Sequence, residues 1–350
     1  MRAVVLNGPR DITIEQVEDP VLPGPDGIVL RVERAAICGS DLHLYDAHMP
    51  GPFAGVRLGH EFIGEVIEAG SEVRSSRVGD RVLVSGVTAC GHCAGCRSGN
   101  PVRCDSGPRV FGTDLTLPGG QAEAVAVPAA DFCCRAIPEE LTVEQAVLLT
   151  DILPTAFVGA TRAAIHPGDT VVVIGLGPVG TLAVQCAQLF GAARVLAVDR
   201  IPERLANARR LGAITIDATG GDAIAQVLEA TAGKGADSVI EAVGSDSTVN
   251  DALYMCRAEG RVSIIGVNLN MAFPFPLALA FLRNLTVSLA FCPIPTTWDA
   301  LIPLLASGRL KPDEVFTHRL PLGEAAAAYR MFSDRTDGCM KVMLDPTTGS

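Results

Sequence analysis

The stretch from 171 to 190, "VVVIGLGPVGTLAVQCAQLF", decides the fold of this chain. Four apolar residues lead directly into a G-x-G-x-x-G pattern formed by Gly175, Gly177 and Gly180. Apolar side chains then recur at helical spacing, at Val179, Leu182, Ala183, Cys186, Leu189 and Phe190. A buried strand, a glycine turn and a helix in this order predict the first unit of a doubly wound parallel sheet.

Each glycine of the pattern has a physical reason. Gly175 permits the tight turn, Gly177 has no Cβ that would block a pyrophosphate, and Gly180 lets the helix pack closely on the strand. A pyrophosphate is favoured at the start of the helix because the first N–H groups there are free and the helix dipole attracts anions. The pattern therefore predicts a dinucleotide site, although a glycine-rich turn in another α/β protein has the same appearance.

Asp199 ends the next apolar segment, nineteen residues after Gly180. Its carboxylate can accept a hydrogen bond from a ribose 2′-hydroxyl and would repel a 2′-phosphate, so we expect NAD rather than NADP. Arg200 beside it leaves the second cofactor open, because a guanidinium can accommodate that phosphate. The further residues predicted to contact the cofactor are Pro178, Val179, Arg200, Val243 and Val267.

Apolar and helical segments alternate from about residue 154 to residue 291. Strands are predicted at "TVVVIG", "RVLAVD", "ITIDA", "ADSVIEAV" and "RVSIIGV", and helices at "TAFVGATRAAI", "PERLANARRLG" and "DSTVNDALYMCRAEG" (246–260). This alternation is typical of a Rossmann domain with a doubly wound parallel sheet.

The residues on either side of that region have a different pattern. Residues 1–153 are rich in Gly and Pro and contain short alternating runs such as "DITIEQV" and "GIVLRVERAAI", which predict a β-rich domain. Residues 292–350 contain, near their end, "CMKVMLD", a predicted strand that returns to the first domain. The sheet domain is then an insertion in the β-rich one.

Composition limits the function classes. A chain of 350 residues with 48% hydrophobic and 19% charged residues can bury a large core in about two domains. Its formal net charge of −11 argues against nonspecific binding to nucleic acid. The first residues do not resemble a signal peptide, and no apolar run approaches the roughly 20 residues of a bilayer span. We therefore expect a cytoplasmic protein with neither a nucleic-acid nor a membrane partner.

The loop "CGHCAGCRSGNPVRC" (90–104) places four cysteines at the spacing C-x2-C-x2-C-x7-C. In a reducing compartment such a cluster indicates a metal site more often than disulfides. Four thiolates complete a tetrahedral zinc and leave no open position, so we expect a structural ion. A disulfide pair or unrelated reduced thiols are the alternatives. The residues concerned are Cys90, Cys93, Cys96 and Cys104.

A second set of polar residues is dispersed. The motifs "ICGSDLH" (37–43) and "LGHEF" (58–62) contain Cys38, Ser40, Asp41, His43, His60 and Glu61. Taken singly, each has an ordinary explanation: Cys38 can be a small buried hydrophobe, His60 a satisfied core histidine and Glu61 a solvated charge. Asp151 can equally be the N-cap of a helix that contains Pro154.

The order of these motifs resembles the zinc-dependent medium-chain alcohol dehydrogenases over almost the whole chain. The resemblance is carried by "ICGSDLH", "LGHEFIGEVIEAGSEV", "GDRV", the four-cysteine loop and "VIGLGPVG". Within that family, "TDILPTAF" is similar to the branch of secondary-alcohol and glutathione-independent formaldehyde dehydrogenases. The resemblance implies a GroES-like catalytic domain plus a Rossmann domain, two zinc ions per chain and a homotetramer, with a dimer as the alternative.

The resemblance also implies a catalytic zinc site. It makes Cys38, His60 and Asp151 the ligands, with Asp151 in the place of the cysteine of the best-known members. Glu61 is similar to a residue that approaches zinc when water or product leaves, and Asp41 to a partner that orients the histidine ligand. One thiolate, one carboxylate and a neutral imidazole balance the charge of Zn²⁺, so its open position stays electrophilic.

Three further roles come from the same resemblance. Ser40 and His43 correspond to a proton relay, and the alternatives are a turn residue and a surface side chain. Lys341 corresponds to a residue that approaches the cofactor phosphates, and the alternative is a solvated lysine.

The function expected from the sequence is reversible hydride transfer between a zinc-bound primary or secondary alcohol and NAD. By the same resemblance, the pocket is expected near Ser40, Phe111, Pro154 and the loop after Val267, and the mostly apolar character of these residues suits small alcohols, aldehydes and ketones. Alternatives are a polyol, threonine or formaldehyde-dismutating dehydrogenase, or a noncatalytic NAD-binding protein with about one zinc per chain. A nucleic-acid zinc ribbon is opposed by the charge. The remaining thiols are expected in the core or at the surface: Cys133, Cys134, Cys186, Cys256, Cys292 and Cys339.

Overall fold

The computed structural model describes residues 1–49 and 51–348. The chain separates into two compact units, unit 1 from Met1–Pro154 and Pro293–Ser350, and unit 2 from Thr155–Cys292. The sequence placed these divisions after residues 153 and 291, one residue earlier in each case. None of the helices in the described ranges combines the length and the hydropathy that a membrane span requires.

The strands are numbered in chain order. In the first segment of unit 1 they are β1 Arg2–Gly8, β2 Asp11–Gln16, β3 Ile28–Ala36, β4 Val56–Arg57, β5 Glu61–Ala69, β6 Arg81–Val84, β7 Val87–Thr88, β8 Arg109–Val110, β9 Ala124–Val127 and β10 Cys134–Ala136. In unit 2 they are β11 Thr170–Ile174, β12 Arg194–Asp199, β13 Ile214–Asp217, β14 Ala236–Glu241, β15 Cys256–Ile264 and β16 Thr286–Leu289. The returning segment of unit 1 adds β17 His318–Pro321 and β18 Val342–Asp345.

The helices follow the same numbering. Those before the division are α1 Asp41–Tyr45, α2 Ala94–Arg97, α3 Ala130–Cys133 and α4 Val143–Leu148, and α5 Ile152–Arg162 crosses it. Unit 2 continues with α6 Pro178–Leu189, α7 Pro202–Arg210, α8 Ala223–Ala230, α9 Asp246–Met255 and α10 Leu277–Leu282. The returning segment contains α11 Trp298–Ala306 and α12 Ala325–Asp334. Short 3₁₀ turns lie at Pro101–Arg103, Ile294–Thr297, Pro312–Val315 and Leu322–Glu324.

The main sheet of unit 1 has the strand order β10-β6-β5-β3-β18-β17, and β9 also pairs with β3. Met343 of β18 lies opposite Ala36 of β3 in an antiparallel pair, so the returning segment completes this sheet. The strand predicted at "CMKVMLD" is therefore confirmed. Smaller sheets of order β2-β1-β4 and β7-β8 complete the β-rich unit.

The register between β3 and β5 positions the two polar motifs. Ala36, the last residue of β3, pairs with Glu61, the first residue of β5. Cys38 follows the end of one strand and His60 precedes the start of its neighbour, so an antiparallel pair brings both side chains to the same edge.

Unit 2 is the doubly wound parallel sheet that the sequence predicts. Its strand order is β13-β12-β11-β14-β15-β16, and each neighbouring pair is parallel. The four residues 171–174 of β11 are buried because β11 lies in the interior of the sheet.

One element of unit 2 differs from the prediction. The helix expected over 246–260 ends at Met255, and Cys256 already begins β15, opposite Ala236 of β14. The register of this pair shifts between Ala236 and Ser238, so the strand starts earlier than its apolar run suggests. Cross-strand pairing has overridden the local helical pattern of "CRAEG".

Candidate functional site

The dispersed polar residues of unit 1 converge on one point. Ligand atoms of Cys38, His60, Glu61 and Asp151 all lie within 4.8 Å of one another. The Sγ atom of Cys38 is 3.5 Å from Oδ2 of Asp151, and Nε2 of His60 is 3.4 Å from the same oxygen. The Asp151 side chain keeps 20% of its surface exposed, whereas the His60 side chain keeps 5%. One thiol, one imidazole and two carboxylates thus share a site that is open beside Asp151.

Close backbone packing holds Asp151 beside His60. The N–H of Gly86 donates to the carbonyl of Thr150 at 2.9 Å. A Cβ at Gly86 would lie 2.8 Å from the carbonyl oxygen of His60, so only glycine allows these segments to approach. This contact therefore positions Asp151, the residue after Thr150, at the cluster.

Asp41 contacts both motifs, on the side of His60 that faces away from the cluster. Its Oδ1 lies 3.1 Å from Nδ1 of His60, and its Oδ2 accepts the backbone N–H of Cys38 at 2.9 Å. Nδ1 makes no hydrogen bond of regular geometry within the described residues, so its contact with Asp41 is an approach between charges, and Nε2 faces the cluster. The structure thus places Asp41 where the sequence predicted an orienting partner.

The environment shifts the pKa values of the donor groups. Burial raises the pKa of the Cys38 thiol to about 11. Burial also lowers the pKa of His60, but the charges of Asp41 and Cys38 raise it more, to well above its ordinary value. For Asp151 the desolvation is outweighed by its hydrogen bond to His60, so its pKa is lowered. A divalent cation bound here must displace a proton from the thiol, so its affinity rises with pH.

Lys341 corrects one prediction. Its Nζ is fully buried and donates to Oε2 of Glu61 at 2.5 Å and to the carbonyl of Ile37 at 3.1 Å, with the ring of Phe316 5.9 Å away. A phosphate contact or a solvated side chain, the two expectations for Lys341, are both wrong in this structure. The buried carboxylate of Glu61 requires a counter-charge, and Lys341 supplies it.

The cluster fits a zinc ion. Oε1 of Glu61 is buried and has no hydrogen-bond partner among residues 1–49 and 51–348. A buried carboxylate oxygen without a partner is costly unless a cation or water satisfies it. Thiolate, imidazole and carboxylate are also the ligand types that zinc accepts, and those of Cys38, His60 and Asp151 together offset its charge.

Ser40 belongs to the cluster, whereas His43 is not among the residues that share it. The hydroxyl of Ser40 donates to Sγ of Cys38 at 3.2 Å and lies 3.1 Å from Nε2 of His60. His43 is in α1 and half-buried, with its ring centroid 6.1 Å from that of His48. Burial, together with the charge of His48, lowers the pKa of His43.

The four-cysteine loop forms a second cluster in unit 1. The Sγ atoms of Cys90, Cys93, Cys96 and Cys104 lie within 4.8 Å of one another, and these four cysteines are free. A backbone N–H from Cys96 lowers the pKa of Cys93 to about 6, while burial raises the pKa of Cys96 to about 12. No disulfide joins any two of these four residues. Their four sulfur atoms fit a closed tetrahedral zinc site.

The glycine turn of unit 2 has the expected conformation. Gly175 adopts φ +85°, and a Cβ at Gly180 would lie 1.7 Å from the carbonyl oxygen of Gly175. At Gly177 a Cβ would meet nothing closer than a guanidinium nitrogen of Arg204 at 3.5 Å. Helix α6 begins after Gly177 with Pro178 in its first turn and without a side-chain cap, so its first N–H groups can receive an anion.

Asp199 lies at the carboxyl end of β12, beside that turn. Its Oδ2 accepts the N–H of Leu176 at 2.6 Å, and its Oδ1 accepts the N–H groups of Arg200 and Ile201. Val243 and Val267, two further predicted contacts, are about half exposed. The carboxyl ends of β11, β12 and β14 are where ligands bind in open α/β sheets.

Sequence reasoning missed Gln121 and Tyr329, which connect with Asp41 and are described below. The weak signal for Gln121 was a single amide in the apolar stretch "PGGQAEAV". Phe111, expected near the substrate pocket, is fully buried and packs edge-on against Phe62 at 5.3 Å. The ring itself fills the core of the β-rich unit, so the expected pocket near Phe111 stays a prediction.

Two family models match the chain. The alcohol dehydrogenase GroES-like domain matches residues 24–139, and the zinc-binding dehydrogenase domain matches residues 178–307. A probable zinc-binding alcohol dehydrogenase of Mycobacterium tuberculosis is 48% identical over 346 residues, which cover 99% of this chain and 89% of the relative.

Solved structures are similar over the full length. An alcohol dehydrogenase from Thermus sp. ATN1 has a TM-score of 0.92 and 41% identity, and the match covers 99% of both chains. A structure from Sinorhizobium meliloti 1021, titled a zinc-binding dehydrogenase bound to NADP, has a TM-score of 0.85 and 31% identity, with 99% of both chains covered.

Proposed function

Because the chain belongs to the zinc-dependent medium-chain alcohol dehydrogenase family, we propose that it oxidises small primary or secondary alcohols with NAD. The convergence of Cys38, His60 and Asp151 on one partly open point carries this proposal. Three zinc ligands from separate segments are the arrangement of a catalytic ion, because they leave a fourth position for substrate.

The three metal ligands and the two relay residues then have distinct tasks. Zinc bound by Cys38, His60 and Asp151 supplies a Lewis acid that makes a substrate hydroxyl more acidic, and NAD supplies the hydride acceptor. Ser40, whose hydroxyl is 3.2 Å from Sγ of Cys38, accepts the substrate's hydroxyl proton at Oγ while it releases its own hydroxyl proton towards His43. His43 passes that proton on to solvent.

The preference for NAD is supported by Asp199. A similar solved structure contains NADP, so the cofactor choice depends on this chain's own residues. The carboxylate of Asp199 lies at the end of β12, beside the glycine turn, where it can accept from a ribose 2′-hydroxyl and repel a 2′-phosphate.

A second zinc is proposed in the loop of Cys90, Cys93, Cys96 and Cys104. Four sulfur ligands complete its coordination, so it stabilises the loop and takes no part in the reaction.

A second copy of the chain is the proposed partner. Strand β16 ends the six-stranded sheet of unit 2, and its outer edge carries no partner strand within the described ranges. Leu289 on β16 is 69% exposed, and Leu277, Phe281 and Leu282 on α10 are similarly exposed. An open edge beside an apolar patch suits antiparallel pairing with its own copy across a two-fold axis.

The test is a screen of alcohols and polyols in which NADH formation is followed by absorbance. We expect turnover of small aliphatic or aromatic alcohols by the wild type, and a loss of at least about tenfold in Asp151→Ala with NADH binding retained. Asp345→Ala is the control, because its side chain has a similar exposure of 21% and lies outside the cluster. NADH binding without oxidation of any alcohol would instead support a noncatalytic protein.

A further inference from the structure

A chain of buried polar groups extends behind the proposed zinc ligand. Tyr329 and Gln121 have no exposed surface, Asp41 is 1% exposed and His60 is 4% exposed. Buried polar groups are costly unless they are paired, so a continuous series of four indicates a constrained arrangement rather than chance.

The hydrogen bonds define the orientation of the Gln121 amide. Its Nε2 donates to the carbonyl of Ala36 at 3.1 Å and to Oδ2 of Asp41 at 3.4 Å, and its Oε1 accepts from the hydroxyl of Tyr329 at 2.9 Å. The reversed amide would place its oxygen against two acceptors. The carbonyl of Ala36 and the carboxylate of Asp41 therefore fix the amide, and the hydroxyl of Tyr329 pairs with its oxygen.

The backbone is also shaped around this side chain. Gly59, the residue before His60, adopts φ +100°, and a Cβ there would lie 2.4 Å from Cγ of Gln121. Tyr329 lies on α12 of the returning segment and packs against Tyr45 with 5.3 Å between ring centroids. The amide is thus held by a glycine next to the metal ligand and by a helix from the end of the chain.

We infer that Gln121 and Tyr329 are positioning residues for the zinc ligand His60. They hold the Asp41 carboxylate, whose Oδ1 lies 3.1 Å from Nδ1 of His60, so that Nε2 stays directed at the cluster. This inference rests on the proposed assignment of that cluster as a metal centre. Partners behind a metal ligand typically change metal affinity by about 10–100-fold when they are removed.

The experiment measures the affinity of each metal centre separately. Apo protein is titrated with Co²⁺ and Zn²⁺ against a chelator, and the visible spectrum of bound Co²⁺ distinguishes the four-sulfur centre from the centre with mixed ligands. Gln121→Leu should weaken binding at the mixed centre by about tenfold, and Tyr329→Phe by about threefold, with an altered Co²⁺ spectrum there. The four-cysteine centre should keep its affinity in both variants.

Tyr45→Phe is the matched control. Tyr45 packs on Tyr329, but the hydroxyl that donates to Gln121 belongs to Tyr329. Wild-type affinity and spectrum in Gln121→Leu would overturn the inference, and so would an equal loss at both centres, which indicates a general folding defect. Occupancy of the four-cysteine centre alone in the wild type would overturn the proposed catalytic centre itself. A failure of the proposed catalytic centre can be distinguished from a failure of this inference, because it is seen in the wild type before any substitution is made.

Discussion

At the scale of a single residue, Asp199 fixes the glycine turn and is also the proposed partner of the cofactor ribose. Its carboxylate accepts three backbone N–H groups, from Leu176, Arg200 and Ile201, and so fixes the glycine turn. A carboxylate has about four lone-pair directions, so it keeps the capacity to accept a ribose hydroxyl. Substitution should therefore affect cofactor choice as well as cofactor affinity.

We expect Asp199→Ala to lower the preference for NAD over NADP by at least about tenfold, because the charge that repels a 2′-phosphate is lost. The measurement is the ratio of kcat/KM for the two cofactors. Asp217→Ala is the control, because Asp217 lies opposite Asp199 on the neighbouring strand β13. An unchanged ratio in Asp199→Ala would exclude the ribose contact.

His43 predicts a pH dependence. Burial and the charge of His48 lower the pKa of His43 below 6.5. The ring therefore stays neutral, and can accept a proton, at a lower pH than the ring of an ordinary histidine. Alcohol oxidation should decline as the pH falls through this lowered pKa, because a protonated ring accepts no proton.

We therefore expect His43→Ala to slow oxidation by about tenfold or more near and just below pH 6.5, and less at alkaline pH where solvent accepts the proton. His48→Ala should move the acid limb to higher pH, since it removes a charge that lowers the pKa of His43. The measurement is kcat against pH, and identical profiles for wild type and His43→Ala would remove His43 from the relay.

Single residues were predictable where a short motif contains them. Cys38 and His60 follow from motifs at strand ends, and Asp151 from resemblance to a family branch. The partner of Lys341 was not predictable, because the Lys341–Glu61 pair joins residues 280 positions apart. The pair of Tyr329 and Gln121 was not predictable for the same reason, because these residues are 208 positions apart and the packing of α12 brings them together.

At the scale of elements, the cysteine loop depends on one close approach. A Cβ at Gly95 in α2 would lie 2.2 Å from the carbonyl oxygen of Arg103, in the 3₁₀ turn that precedes Cys104. Helix and turn must touch so that Cys96 and Cys104 reach the same point.

We expect Gly95→Ala to destabilise the protein by about 1–3 kcal/mol and to lower the zinc content of the loop, because the overpacked turn displaces Cys104. The measurements are the Tm and the zinc content. Gly323→Ala, where a Cβ meets no atom within 4 Å, is the control. Equal Tm and zinc content in the two variants would contradict this account.

Elements were predictable where the hydrophobic period is clear. The strands and helices of the glycine-rich motif agree with the sequence, and the fold class is confirmed. The boundary at Cys256 was not predictable, because the helix ends where pairing with Ala236 begins. Strand β16 was missed because its four residues, "TVSL", are too short to show a period.

At the scale of the whole molecule, the proposed pairing through β16 can be tested directly. Leu282→Asp places a charge in the apolar patch of α10, where Leu282 is 81% exposed, so we expect the oligomer to dissociate. Light scattering after gel filtration measures the mass. Val21→Asp, at a similarly exposed residue of unit 1, is the control, and an unchanged mass in Leu282→Asp would exclude this surface.

We propose that one chain holds a catalytic zinc at Cys38, His60 and Asp151 in addition to the four-cysteine zinc. The most direct test is the zinc content per chain of wild type and Asp151→Ala, measured by mass spectrometry of the metal after gel filtration. We expect about two zinc ions in the wild type and about one in the variant. About one ion in both proteins would contradict this proposal.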